Sequence, residues 1–273
     1  MGRFWQRFRV HRLGVVSATF VVLLGMAGLS APRLTVDPNE ISSSVMLAPS
    51  LTHPLGTDEL GRDVLTGIVH GIRVSLAVGL SAAFAATVIG TLVGALAGFY
   101  GGVGDLLLMR ISEAFQVIPS FILAAVIVAL SGPGVSRVIL VIALLSWPQT
   151  ARLMRSEVMR LKQLEFVDAV RCLGIPERTI LAREIVPNAM VPVLAVGTLI
   201  IGHAILLETA LSFFGLSSPE VVTWGRMLAS GQRFLFNAWW LSFFPGTAIF
   251  LTVLAFNLLG DAIGAALDPR APV

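Results

Sequence analysis

Residues 161–192, LKQLEFVDAVRCLGIPERTILAREIVPNAMVP, form the one long polar stretch in the C-terminal two-thirds of an otherwise apolar chain. Seven Lys/Arg and five Asp/Glu stand between Arg152 and Pro187. Phe166, Ala169, Val170 and Leu173 recur at i, i+3, i+4 and i+7, the spacing of an amphipathic helix with that apolar stripe. Gly174 follows, a residue free to take the left-handed conformation that ends a helix. Pro176 suits the first turn of a second helix, where its missing N–H costs nothing, and Pro187 is expected to close that helix. The reading is a helix–glycine–helix elbow outside the membrane, joining hydrophobic spans. It is too short to be a catalytic domain and is shaped for docking.

Composition sets the class of the remainder. Of 273 residues, 56% are hydrophobic and 13% charged, against about 25% charged in soluble domains. With a mean hydropathy of +0.87, the chain reads as an all-α polytopic membrane protein, long enough for about six transmembrane helices of ~20 residues. The net charge of +3 comes from basic residues dispersed between spans, which argues against nucleic acid as a partner. A single cysteine, Cys172, excludes an internal disulfide and offers no metal cluster.

Spans are expected near 13–29, 74–100, 113–131, 138–151, 191–214 and 241–260. The basic head with Arg3, Arg7, Arg9 and Arg12 before the first of these resembles a signal peptide, but the run is long enough for a retained span. With the N-terminus inside, inner segments hold thirteen Lys/Arg, including Arg110, Lys162 and Arg270; outer segments hold six, including Arg33, Arg73 and Arg137. The positive-inside rule then places both termini and the elbow in the cytoplasm. The expected organisation is a cytoplasmic N-terminus with first span (1–31), an extracytoplasmic segment (32–73), a five-span core (74–260) containing the elbow loop 152–190, and a cytoplasmic tail (261–273).

In the outer segment, residues after Thr57 alternate into an apolar and a charged face, which predicts a helix lying along the membrane surface. His53, Asp58, Asp63 and His70 lack compact ligand spacing and read as caps and solvated surface, so no metal site is expected. Ala86, Gly90, Gly94 and Gly98 form a stripe of small residues on which a helix can approach closely, either within this chain or from a partner. Pro119, Pro148 and Pro245 each remove a backbone donor and can bend a span. His203 and Glu208 are ionisable residues well inside a span, five apart and about 140° round a helix. Glu208 is a candidate either for a structural hydrogen bond or for proton relay. A polar channel lining is not evident. No Walker A loop surrounds the only lysine, and no Gly-x-Ser-x-Gly or His-Glu-x-x-His motif supports a catalytic role.

Asp168-Ala169-Val170, Gly174 and Val186-Pro187 resemble the coupling loop of permease subunits of binding-protein-dependent ABC importers. The departures from that pattern are Asp for Glu, Val for a second Ala, and Glu184 where Ile is usual. HPLGTDELGRDVL from His53 and GIRVSL ending at Leu76 resemble, almost residue for residue, the signature of the dipeptide, oligopeptide and nickel permeases. The likeness continues through AGFYGG (97–102), IPSF (118–121), LETALSFFGL (207–216), WGRML (224–228), FPG (244–246) and NLLGDAIGAALDP (257–269).

The resemblance implies a type I ABC importer permease fold in a bacterial inner membrane. It implies a second, homologous permease, one or two cytoplasmic ATPase subunits that use ATP and Mg, and an extracytoplasmic binding protein delivering peptide. This chain would bind no cofactor itself. Glu165, Asp168, Ala169, Val170, Gly174 and Pro187 would couple to the ATPase. Glu208, His203, Pro119 and Pro148 are candidates for the translocation path or its gating, and Glu220 and Arg226 for contact with the binding protein. Nickel or another small solute is the alternative cargo. An ion-coupled transporter using Glu208 and His203 is the rival class, though no inverted repeat with paired broken helices favours it.

Overall fold

The computed structural model describes residues 2–34 and 37–267; Arg270 and the predicted tail beyond Leu267 lie outside them. The chain runs α1 (Gly2–Val10), α2 (Arg12–Leu34), α3 (Val64–Tyr100), α4 (Gly102–Val117), α5 (Ser120–Ser131), α6 (Val135–Leu161), α7 (Glu165–Cys172), α8 (Glu177–Thr179), a π-helical turn (Ile180–Ile185), α9 (Val186–Phe213), α10 (Trp224–Gly231) and α11 (Trp240–Leu267). Five helical stretches are long and apolar enough to cross a membrane, and a sixth crossing results if α4 and α5, bent by 89° at their break, count together as one span. The helices are mostly apolar all round, as lipid-facing and core-facing surfaces both require.

The bundle is built on α3 and α6, and the small-residue stripe decides their spacing. A Cβ at Gly90 would meet Thr150 and the Trp147 carbonyl, one at Gly94 the Ala151 carbonyl, and one at Gly98 the Arg155 carbonyl. The stripe therefore serves packing within this chain, and each glycine lets the backbones approach where lipid supplies no hydrophobic drive. Toward the other end, α3 packs on α9, with Gly79 against Ile201 and Ile205. Ala124 and Val128 of α5 join Val138 and Ile142 of α6 and Leu207 and Leu211 of α9 in one buried cluster. Around the start of α3, two tryptophans clamp distant segments: Trp224 Nε1 donates to the Ile68 carbonyl at 3.0 Å, and Trp240 Nε1 to the Thr57 carbonyl at 3.2 Å.

Three expectations are corrected here. No separate surface helix forms over 58–73: residues 42–63 are turns, and α3 begins at Val64 and runs unbroken for 37 residues. Asp63 caps it, accepting from the Thr66 amide at 2.8 Å and meeting His53 Nδ1 at 3.1 Å, while Asp58 Oδ1 accepts from the Leu60 and Arg62 amides. The apolar face that suggested a surface helix packs instead under α10 and α11, with Val64 and Ile68 beside Ala238, Trp240 and Met227. The third span is not one straight helix over 113–131, because the chain breaks at Ile118–Pro119 in its middle. Nor does Pro187 close a helix. It sits in the first turn of α9, where its absent donor is tolerated, and the π-helical turn before it keeps residues 177–213 in one helical run.

Candidate functional site

Polar side chains gather around Asp58, Glu59, Arg62, Asp63 and Arg226 and in two further regions. The first is the elbow. Val167 is fully buried among Leu161, Ile180, Leu181 and Ile185, in a cluster that also holds Phe99 of α3, Met154 of α6 and Val193 of α9. This side chain seats α7 against the π-helical turn, within a cluster to which three spans also contribute; full burial of such a group contributes roughly 1.5–3 kcal/mol. Most of the predicted stripe faces the other way, although Val170 is half-buried against the same cluster. Phe166 is 38% exposed and Leu173 78%, with Leu164 and Ile175 also open and Ala169 exposed.

Gly174 has φ +74° with open space about it, the conformation expected of a helix-ending glycine. Past it the chain is fastened by Arg171, a residue the linear reading did not single out. Arg171 donates to Asp168 Oδ1 at 3.0 Å and to Glu177 Oε1 at 2.9 Å. The hydrogen bond to Glu177, with Asp168 adding and slight burial opposing, holds the guanidinium pKa above its ordinary value. Glu165 and Asp168 lie in the first turn of α7, where negative charge complements the helix dipole. Lys162, at the entry to the elbow, donates to the Phe99 carbonyl and lies over that ring.

The second region is a polar wall, absent from the sequence reading. A concavity of about 390 Å³ is lined by Gln116 of α4, Ser146, Gln149 and Arg152 of α6, and Leu199, Ile200 and His203 of α9. Arg152 also lines a neighbouring hollow of about 490 Å³ with Asp105, Arg110, Glu113 and Arg155. There Arg155 forms a two-point ion pair with Asp105, at 2.5 and 2.6 Å, joining α6 to α4. Gln149 and Arg152 are exposed, and Pro148 beside them is buried inside α6. The signal for this wall was the run Ser146, Gln149, Arg152 on one face of α6. Its partners come from α4 and α9, so it assembles only in three dimensions.

The remaining predicted residues separate. His203 reaches the wall, but Glu208 does not. Glu208 is 1% exposed; its Oε1 accepts from Ser212 Oγ at 2.5 Å and its Oε2 is buried without a partner. The two are not brought together. Pro119 stands at the α4–α5 break. Glu220 is exposed. Arg226 is turned to its own loop, donating to the Pro219 carbonyl and to the Val221 carbonyl at 2.8 Å; burial, with the charge of Arg62 adding, lowers its pKa.

Residues 90–272 match the family described as binding-protein-dependent transport system inner membrane component. The chain belongs to that family. This permease is 39% identical over 273 residues to the glutathione transport system permease protein GsiD of Escherichia coli O6:K15:H31 (strain 536 / UPEC), covering 98% of this chain and 89% of that one. It is 38% identical over 270 residues to a putative peptide transport system permease protein of Brucella suis biovar 1 (strain 1330), covering 98% and 90%. Among solved structures, the MetNI methionine ABC transporter in inward-facing form matches with a TM-score of 0.62 and 19% identity, over 74% of this chain and 96% of that one. That likeness carries the fold: the permease has the architecture of an ABC importer subunit. It is a non-catalytic, multi-pass inner-membrane protein.

Proposed function

We propose that this chain is the transmembrane permease subunit of an ATP-driven importer of peptides, forming half of the translocation path with a second, related permease. Relatives over nearly the full chain carry the names of peptide and glutathione permeases, which favours peptide over nickel as cargo. ATP and Mg act on separate cytoplasmic subunits. A binding protein delivers solute at the outer face, near Glu220. Both termini and the elbow are cytoplasmic, as the distribution of basic residues suggests.

The observation that carries this reading is the uncovered apolar face of α7, beside a buried anchor. Phe166 and Leu173 are open while Val167 is buried in the cluster that also holds residues of the π-helical turn, α3, α6 and α9. A surface helix in water buries its apolar stripe, so this one is built to be covered by a partner. Glu165, Asp168, Ala169 and Gly174 shape that surface, Val170 lies between it and the buried cluster, and Pro187 carries the motion into α9. A push on α7 then reaches three spans through one cluster. Two states of the bundle with different ATPase contacts are what such a push must select between.

The test replaces Phe166 and Leu173 together by Asp. The expected result is a permease pair at parental level in the membrane, with co-purification of the ATPase reduced at least tenfold and ATP-dependent peptide uptake lost. Each side chain contributes roughly 1.5–3 kcal/mol when covered. Retention of both ATPase and uptake would show that the elbow is not the coupling element.

A further inference from the structure

We infer that the wall formed by Arg152, Gln149, Gln116, Ser146 and His203 is a carboxylate-recognising station in the solute path, holding the C-terminal carboxylate of a peptide in transit. It rests on the peptide-import reading and deepens it. The first observation is the disposition of charge. Arg155 is paired with Asp105, Arg110 with Glu113, and Arg160 with Glu157. Arg152, on the same helix, makes no ion pair among the described residues; its one hydrogen bond goes to the Gln116 oxygen. A guanidinium carries five N–H donors, so most of its donors remain for a ligand. The residues lining this concavity include no acid.

The second observation is preorganisation. Gln116 cannot turn freely, because its Nε2 donates to the Ser112 carbonyl at 3.2 Å and lies 3.4 Å from the Ser112 hydroxyl. Its oxygen therefore stays aimed at Arg152 and steadies the guanidinium. A third observation is independent of the charge. Ser146 is 9% exposed, lines the same concavity, and its hydroxyl has no partner among the described residues. A buried hydroxyl left unpaired is costly, and a carboxylate oxygen would accept from it.

The chemistry selects the ligand. Peptides differ in their side chains and share their termini. Asp105 and Glu113 in the adjoining hollow are already paired with Arg155 and Arg110. The wall therefore presents the charge of Arg152, which repels a terminal ammonium or a divalent metal ion and attracts a carboxylate that Arg can meet with two parallel bonds. Leu145, Leu199 and Ile200 complete the concavity with apolar surface that tolerates varied side chains. Because Arg152 is exposed on one side, the contact is screened enough to release.

The experiment uses the full complex of both permeases, ATPase and binding protein in proteoliposomes. Labelled alanyl-alanine and its C-terminal amide are compared as cargo in the parent, in Arg152→Gln and in Gln149→Leu. Discrimination by the binding protein is common to all three, so the change in the acid-to-amide uptake ratio reports the permease. We expect Arg152→Gln to lower that ratio about tenfold, as loss of a charged hydrogen bond implies, and Gln149→Leu to lower it severalfold. Arg152→Gln should co-purify the second permease as the parent does. A variant that no longer assembles would make Arg152 a subunit-interface residue and overturn the station. An unchanged ratio in both variants would also overturn it while leaving peptide import intact. A parent complex that carries neither probe would instead remove the peptide-import reading, and the station with it.

Discussion

At Gly174 the backbone is left-handed, φ +74°, and a Cβ placed there would meet nothing within 4 Å. The constraint is conformational and not steric, which makes a sharp prediction. Any L-residue pays roughly 1–2 kcal/mol there, but asparagine tolerates this conformation better than most. Gly174→Asn should keep most solute-stimulated ATP hydrolysis in reconstituted vesicles. Gly174→Val should reach the membrane normally and lose about tenfold, since the strain is small beside a packed bundle but enough to misdirect α7. Equal activity of the two would mean that the left-handed turn does not set the elbow. This residue was legible because a helix-ending glycine has a local signature. Arg171 was not, because its partners Asp168 and Glu177 meet only when the elbow closes. The stripe at Phe166, Ala169, Val170 and Leu173 was legible as apolar, but spacing does not say which face meets the core. The buried residue is Val167. At Arg226 the sequence shows a charge near the surface, not the carbonyls of Pro219 and Val221 to which it donates.

Between elements, glycine works by the opposite constraint. A Cβ at Gly94 would lie 2.3 Å from the Ala151 carbonyl oxygen, a backbone atom that cannot step aside. At Gly246 in α11 the same Cβ would meet nothing within 4 Å. Gly94→Ala should therefore push α3 from α6, costing at least the roughly 1–3 kcal/mol of an overpacked core. It should lower the thermal midpoint of the purified protein by several degrees, while Gly246→Ala should leave it unchanged. Similar midpoints for both would contradict the close α3–α6 contact. The helices themselves were readable from long apolar runs, and their junctions were less so. The apolar face at 64–72 fits a surface helix or the start of a buried one equally well. What decides is α10 and α11 packing on it, far along the chain. Pro187 reads locally as a stop, yet the widened turn at Ile180–Ile185 absorbs it. Pro119 reads as a bend, and the 89° break is its extreme.

At the scale of the molecule, the bundle leaves one polar wall on its side and one apolar helix at its end. The wall could not be read along the chain, since its lining is divided among α4, α6 and α9. The elbow could, because it is continuous in sequence. Their relative placement gives the whole protein a direction. Arg155 and Arg160 lie between the wall and the elbow on α6, and the basic residues crowd toward that end. If that end is cytoplasmic, the natural cysteine reports it without engineering: Cys172 is exposed on α7. A membrane-impermeant maleimide should label Cys172 in inside-out vesicles and leave it untouched in right-side-out ones. Ser43, exposed in the segment before α3, supplies the opposite marker. In a Cys172→Ser background, Ser43→Cys should react only from the other side. Between these two positions the chain crosses an odd number of times only if α4 and α5 together count as one span with α3 and α6. Labelling of both positions from the same side would therefore refute the bent pair as a crossing, and labelling of Cys172 from outside alone would invert the molecule.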